Sequence, residues 1–381
     1  MSSSSGPAAP FKVVIAGGGV AALEAVLALR ELGADRFEVT LLAPDEEFTY
    51  RPMTVREPFA YSAAERHDRS AIAADLGVEL LAERFASVDP QARLAHLESG
   101  AEVHYDALLL ALGARPHARF PHALTIDDSQ LDELMHGLLE DIDGGYVRTL
   151  AFVVPPRVGW PLPIYELALM TSARAFAMNV ELAITIVTPE AAPLEVFGDQ
   201  ASAAVSQLLA GAGVTVVGSA SCEVPDSRHV VINPGDRSIE VDRIVALPEL
   251  FGPSVRGLRS DEHGFIPIDE HCKVEGVEGV YAAGDATNFP VKQGGIAAQQ
   301  ADAAAEAIAA LAGLPAEPRP LHPLIHGILL TGGAPLYLSA QLTGGRGLHS
   351  EIGETPRWSP PTKIVARHLA PYLTARSQPG G

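Results

Sequence analysis

The residues best placed to do chemistry are three consecutive glycines. Gly17-Gly18-Gly19 stand directly after the apolar, β-branched run Phe11 to Ala16 and just before the helical stretch Ala21 to Leu32. Read as Gly17-x-Gly19-x-x-Ala22, the segment is a strand, a tight turn and the opening of a helix. Gly17 permits the turn, Gly19 lets backbone amides approach a pyrophosphate, and Ala22 keeps the helix close to the sheet. The helix N-terminus favours the ligand's negative charge. The expected ligand is a dinucleotide. Phe37 to Ala43 supplies the second strand of a β-α-β unit of about 30 residues, but it ends in Ala43 where an acid usually grips the adenosine ribose. Asp45 and Glu46 come slightly later; they serve as substitutes if the chain turns back, or are solvated turn residues.

Two further segments sharpen the ligand. Tyr105-Asp-Ala-Leu-Leu-Leu-Ala111-Leu-Gly113-Ala-Arg-Pro116 resembles the strand-to-glycine segment by which two-dinucleotide-domain flavoproteins return to their FAD domain. Gly279-Val-Tyr-Ala-Ala-Gly284-Asp285-Ala-Thr287 resembles their second FAD fingerprint, in which the aspartate hydrogen-bonds the ribityl chain. The three segments occur in family order. Over about residues 11–311 the chain is similar to sulfide:quinone reductases, flavocytochrome c sulfide dehydrogenase flavoprotein subunits and type II NADH dehydrogenases, within the FAD-dependent pyridine nucleotide-disulfide oxidoreductases. The resemblance implies FAD as cofactor and a quinone or small redox protein as electron partner. It places Pro290-Val-Lys292-Gln293-Gly294-Gly295 at the helix facing the isoalloxazine, where amides and Lys292 would stabilise charge on the reduced ring; the plainer reading of Lys292 is an exposed helix-start lysine. It also places Arg51-Pro52, in Phe48 to Met53, in the loop beneath the ring.

Departures from that pattern bear on the chemistry. A nicotinamide-binding relative would repeat the glycine turn in its second domain, whereas here Ala151 to Val154 runs into Pro155-Pro156, which have no amide to donate. The next strand, Ile184 to Thr188, does not end in an acid. Sulfide:quinone reductases carry a redox cysteine shortly before a Pro-x-Tyr-Glu like Pro163-Ile-Tyr165-Glu166; this chain has Trp160 there, and no cysteine in His326 to Leu338. With no thiolate to form a persulfide, sulfide chemistry is disfavoured. Trp160, Tyr165 and Glu166 are then expected near the flavin face. Trp160 would stack on ring or substrate, and a partly buried Glu166 would exchange a proton; alternatively Trp160 plugs the site and Glu166 caps or pairs locally.

The elements that must position these residues alternate. Strands are expected at Ala107 to Ala111, Thr149 to Val154, Ala183 to Val187, Val214 to Val217, Arg243 to Leu247 and Gly279 to Ala282, with helices at Ile164 to Met178, Ala201 to Leu209 and Ile296 to Leu311. That pattern makes an α/β protein with parallel sheets covered on both faces: two Rossmann-like dinucleotide-binding domains plus a C-terminal extension. The expected division is a disordered leader at 1–10, an FAD domain from 11–115 and 245–311, a second, remodelled domain at 116–244, and an extension at 312–381. The extension's one helical candidate, Thr362 to Arg376, kinked at Pro371, would lie on a membrane, on the body or on a second subunit of a homodimer.

Bulk properties exclude other classes. A net charge of -20 repels a phosphate backbone, so nucleic acid is not an expected partner. The leader has neither a basic nor an apolar region of a signal peptide, and no apolar run spans a membrane, which makes the cytoplasm the expected location. Cys222 and Cys272 lack Cys-x-x-Cys spacing and read as inert thiols, and the scattered histidines suggest no metal. The sequence therefore reads as an FAD-dependent oxidoreductase of unknown donor. The alternatives are a cofactor-binding or interaction protein that has lost catalysis, or an NAD(P)H dehydrogenase using backbone contacts alone.

Overall fold

A computed structural model of the protein describes residues 9–59, 64–126, 131–343 and 346–377. The leader expected to be disordered lies, except for its last two residues, outside them.

From the N-terminus the main elements are β1 (Phe11–Ala16), α1 (Val20–Gly33), β2 (Phe37–Leu42), α2 (Arg69–Asp75), β3 (Glu79–Leu81) and β4 (Ala107–Leu110). Then come β5 (Leu124–Thr125), α3 (Leu131–Asp143), β6 (Thr149–Val153), α4 (Leu162–Ala177), β7 (Ala183–Val187), α5 (Asp199–Gly211), β8 (Val214–Val217) and β9 (Arg243–Ala246). The chain continues through β10 (Val280–Ala282), α6 (Gly294–Leu311), β11 (Leu324–Leu329), β12 (Leu336–Thr343), β13 (Arg346–Gly353) and α7 (Leu369–Ser377).

Two five-stranded parallel sheets organise the molecule, in the orders β10-β4-β1-β2-β3 and β5-β9-β6-β7-β8. Parallel sheets need cover on both faces, and β1 shows it. Val13 and Ile15 pack against α1 and α6, whereas Val14 and Ala16 join Leu108, Leu110, Val280 and Ala282 under a small antiparallel sheet carrying Val88, Ala95 and Leu97. Alanines on both α1 (Ala21, Ala22, Ala25, Ala28) and α6 (Ala297, Ala298, Ala301, Ala304, Ala305) are buried in that interface. Small side chains let the two helices approach closely. The second sheet repeats the arrangement, with α3, α4 and α5 on one face and a three-stranded antiparallel sheet (221–240) on the other.

The extension differs from expectation. β11, β12 and β13 form an antiparallel sheet that the proline- and glycine-rich flanks hid. Its Gly327 lies so close to the second domain that an added Cβ would sit 2.7 Å from Phe197 and 3.0 Å from Leu162. The tail helix begins only at Leu369, and Thr362 to His368 are irregular. Pro371 falls in the first turn, where its missing N–H interrupts no helical hydrogen bond, so no kink arises. Ile364, Leu369 and Leu373 are buried in the core formed with α1 and α6. The apolar side of the tail is thus spent on the protein's own body and is not available to a membrane. Among the described residues, no helix is long and apolar enough to cross one.

Candidate cofactor site and active site

The carboxyl ends of the first sheet, the start of α4, the start of α6 and the extension surround an elongated cavity of ≈ 1180 Å³. One end is the glycine turn. Gly17 adopts φ +125, and a Cβ there would lie 2.1 Å from the Ala111 carbonyl oxygen, so β1 and β4 can approach only because this residue has no side chain. Gly19 opens α1 with no side-chain cap, which leaves the first amides of the helix for a ligand. Gly17, Gly19, Ala111 and Gly113 line the cavity, while Ala22 is buried behind it in the α1–α6 core.

Midway lies the Gly284-Asp285 turn. Gly284 (φ +78) has the β-carbons of Ala21 and Ala297 3.3 and 3.4 Å from its own missing one. Its amide donates to Gln300 Oε1 at 2.7 Å, and Gln300 Nε2 donates to Thr287 Oγ1 at 3.3 Å. This buried network holds the turn that carries Asp285, which lines the cavity.

At the far end, Lys292 is buried rather than exposed. Its Nζ donates to the Thr287 carbonyl and stands 3.8 Å from the Phe265 ring centre. Burial pushes its ammonium down to about 8, against the attraction of Asp285 and Asp261. Gln293 caps α6, its Oε1 accepting from the Ile296 amide at 3.0 Å while Nε2 donates to His326 O at 3.1 Å. Gly294 lines the cavity and Gly295 does not. A Cβ on Gly294 would lie 2.8 Å from Ile364, and one on Gly159 would lie 2.3 Å from Lys292. The tail and the proline loop therefore both close on the start of α6.

Trp160, Glu166, Arg51 and Pro52 also line the cavity. Trp160 packs edge-on against Phe197, ring centres 5.6 Å apart. Glu166 neither caps nor pairs locally: it is 1% exposed and holds Lys363, 197 residues away, at 2.7 and 2.8 Å. Lys363 also donates to Pro52 O at 3.1 Å, and the Leu330 amide donates to Glu166 at 2.9 Å. Burial drives the Glu166 carboxyl up while Lys363 pulls it back; the Lys363 ammonium is pushed down by burial and held up by Glu166. Sequence reasoning missed Lys363, whose flanking pattern gives no signal.

Other expectations moved. Tyr165 is wholly buried and does not line the cavity; its hydroxyl donates to Glu190 at 2.6 Å. Glu190 is the acid the sequence did not find after β7, and burial pushes its carboxyl up to about 7. Asp45 lines the cavity, and its backbone carbonyl accepts from Arg69. Neither cysteine lines the cavity, and burial pushes Cys222 up to about 11 and Cys272 to about 12. The fold also gathers Glu24, Asp302 and His368 with donor atoms within 4.8 Å, a cluster no local spacing announced. Both Glu24 oxygens already accept amides of the tail, from His368 at 2.9 Å and Leu369 at 2.6 Å.

A glycine-turn cavity shared between two Rossmann-like halves is the architecture of a dinucleotide-binding α/β protein. Comparison with known proteins gives the family: residues 11–139 and 166–307 match the pyridine nucleotide-disulphide oxidoreductase model, and the chain belongs to that family of flavin-dependent enzymes. Among solved structures, it is similar to the sulfide:quinone oxidoreductase of Aquifex aeolicus (18% identity, TM-score 0.78, 90% of this chain and 87% of that one). It is also similar to the ferredoxin reductase for the CYP199A2 system of Rhodopseudomonas palustris (20%, 0.67, 87% and 83%). A third is the NAD-dependent persulfide reductase of A. fulgidus (17%, 0.63, 88% and 65%). At these identities the likeness is one of fold. No curated protein sequence matches the chain.

Proposed function

We propose that the cavity holds FAD and that the protein passes electrons from a donor other than a thiol-bound sulfur to a quinone or small redox protein. The carrying observation is the continuity of one cavity from the Gly17–Gly19 turn, past Asp285, to Lys292, Trp160 and the Glu166–Lys363 pair. Residues 11–115 and 245–311 act as the FAD domain, 116–244 as a second, remodelled domain, and 312–381 as the extension that closes the active end. A bound flavin takes up two electrons and releases them singly or in pairs.

The chain's own groups do the rest. Gly17 and Gly19 admit the pyrophosphate to the amides of α1, and Asp285 accepts from ribityl hydroxyls. The amides at Gln293 and Gly294, with the Lys292 ammonium, favour negative charge on the adjacent ring edge. Arg51 and Pro52 border the ring's place, with Lys363 joining the Pro52 carbonyl to Glu166, and Trp160 excludes water from the wall it lines. Glu166 carries the proton work beside Lys363, because burial raises its carboxyl's affinity for a proton while the Lys363 ammonium opposes it. The nicotinamide site is remodelled: Pro155-Pro156 supply no amides, and Glu190 is occupied by Tyr165.

The test is anaerobic titration of the purified protein with NADH, NADPH and sulfide, followed by flavin absorbance, and then mixing of the chemically reduced protein with a quinone. Flavin at one per chain, not bleached by NADH, NADPH or sulfide but reoxidised by the quinone, is expected. A colourless protein that FAD cannot reconstitute overturns the reading, and rapid bleaching by NADH overturns the donor assignment.

A further inference from the structure

The strand that should end in a ribose-binding acid ends in Ala43, and a cation occupies the space beside it. Arg69, the first residue of α2, is only 4% exposed and lines the cavity next to Gly18. A Cβ built on Gly18 would lie 2.5 Å from Arg69 Nε and 2.8 Å from Ala43 Cβ. The guanidinium is fixed from behind by carbonyls: Nη1 donates to Asp45 O, and Nη2 to Gly18 O at 3.3 Å and Glu47 O at 2.8 Å. Of its five N–H donors, the one on Nε is buried without a partner among the described residues.

Buried charges are normally paired. Three cations are buried among the described residues, Arg69, Lys292 and Lys363. Lys363 has Glu166, and Lys292 stands over an aromatic face next to the flavin end. Arg69 has three neutral carbonyls and no described carboxylate in ion-pair contact, yet it abuts the turn where the FAD reading puts a doubly charged pyrophosphate. Carbonyl dipoles orient a guanidinium without neutralising it, the Asp45 carboxylate attracts it without ion-pair contact, and a planar fork suits phosphate oxygens.

We propose that Arg69 is the counter-charge of the cofactor's pyrophosphate, a binding residue that the glycine motif does not contain. The inference rests on the dinucleotide reading above. It assigns the adenosine end of this site a donor where the common arrangement has an acceptor, so affinity here depends on phosphate charge more than on ribose hydroxyls.

The experiment is calorimetric binding of FAD, ADP and adenosine to flavin-stripped protein, for the full-length wild type and Arg69→Gln. Loss of a charge-assisted contact of this kind weakens binding about tenfold or more. FAD and ADP should weaken by that factor while adenosine stays within about twofold, a split that mere loosening of the 45–47 loop would not produce. If Arg69→Gln does not fold, Arg69→Lys carries the comparison: charge kept, fork lost, ADP weakened more than adenosine. Equal loss for ADP and adenosine, or unchanged ADP affinity, overturns the assignment to Arg69 alone. A wild-type protein that binds neither FAD nor ADP overturns the dinucleotide reading itself.

Discussion

Replacing Lys363 by methionine removes one half of an ion pair in which both side chains are almost wholly buried, 6% and 1% exposed. The remaining Glu166 keeps one amide donor, from Leu330, which leaves a buried carboxylate largely uncompensated. Breaking such a pair from one side costs about 3–5 kcal/mol. A chain of 381 residues has an unfolding entropy near 0.8 kcal/mol/K at about 2.1 cal/mol/K per residue, so Tm should fall by about 4–6 °C. Protonation offers Glu166 an escape, which gives the prediction a sign. With the cation gone, burial is opposed only by the Leu330 amide, and the folded pKa lies above the unfolded value. The folded state then binds more protons, so stability is greatest in acid and declines as pH rises through that window, by at most 1.36 kcal/mol or about 1.7 °C per unit. Thermal unfolding at pH 5, 7 and 8 should show the variant's deficit widening with pH. Glu166→Gln combined with Lys363→Met should recover most of the loss, since a neutral pair in the same space needs no compensation. A Lys363→Met protein as stable as wild type at pH 8, or a double variant no better than the single ones, would refute the pairing argument.

Three further outcomes follow from the same geometry. Gly17→Ala, placing a Cβ 2.1 Å from Ala111 O at φ +125, should abolish flavin retention, read as the flavin-to-protein absorbance ratio; a fully loaded variant would contradict the turn. Lys292 is charged below about 8 and neutral above it, so the ease of flavin reduction should fall as pH passes that point. Lys292→Met should flatten the profile, and a profile identical to wild type would remove Lys292 from the site. Tyr165→Phe strips Glu190 of its 2.6 Å donor and should cost about 1–3 kcal/mol by urea unfolding without opening the protein to NADH. Nicotinamide bleaching in that variant would show that the Tyr165–Glu190 contact is what excludes it.

Local chemistry reaches a long way in this chain. The order strand, glycine turn, helix is dictated by residues that are neighbours: only Gly17 accepts that φ, and the run Val13 to Ala16 is apolar at every position because a parallel strand is buried on both faces. The same holds for Gly284-Asp285 and for the helix Gly294 to Leu311. Family and cofactor class were accordingly legible from Gly17, Gly113 and Gly284 with their surroundings. What could not be read were the partners each polar group finds across the chain. Glu166 meets Lys363 at a separation of 197 residues, Glu24 holds the tail amides of His368 and Leu369, Tyr165 turns to Glu190, and Arg69 fills the space that Ala43 leaves. Burial and long-range pairing set the charge state of these groups, and both are properties of the packed molecule: the sequence determined that a dinucleotide turn would form, and the tertiary structure decided which charges surround it.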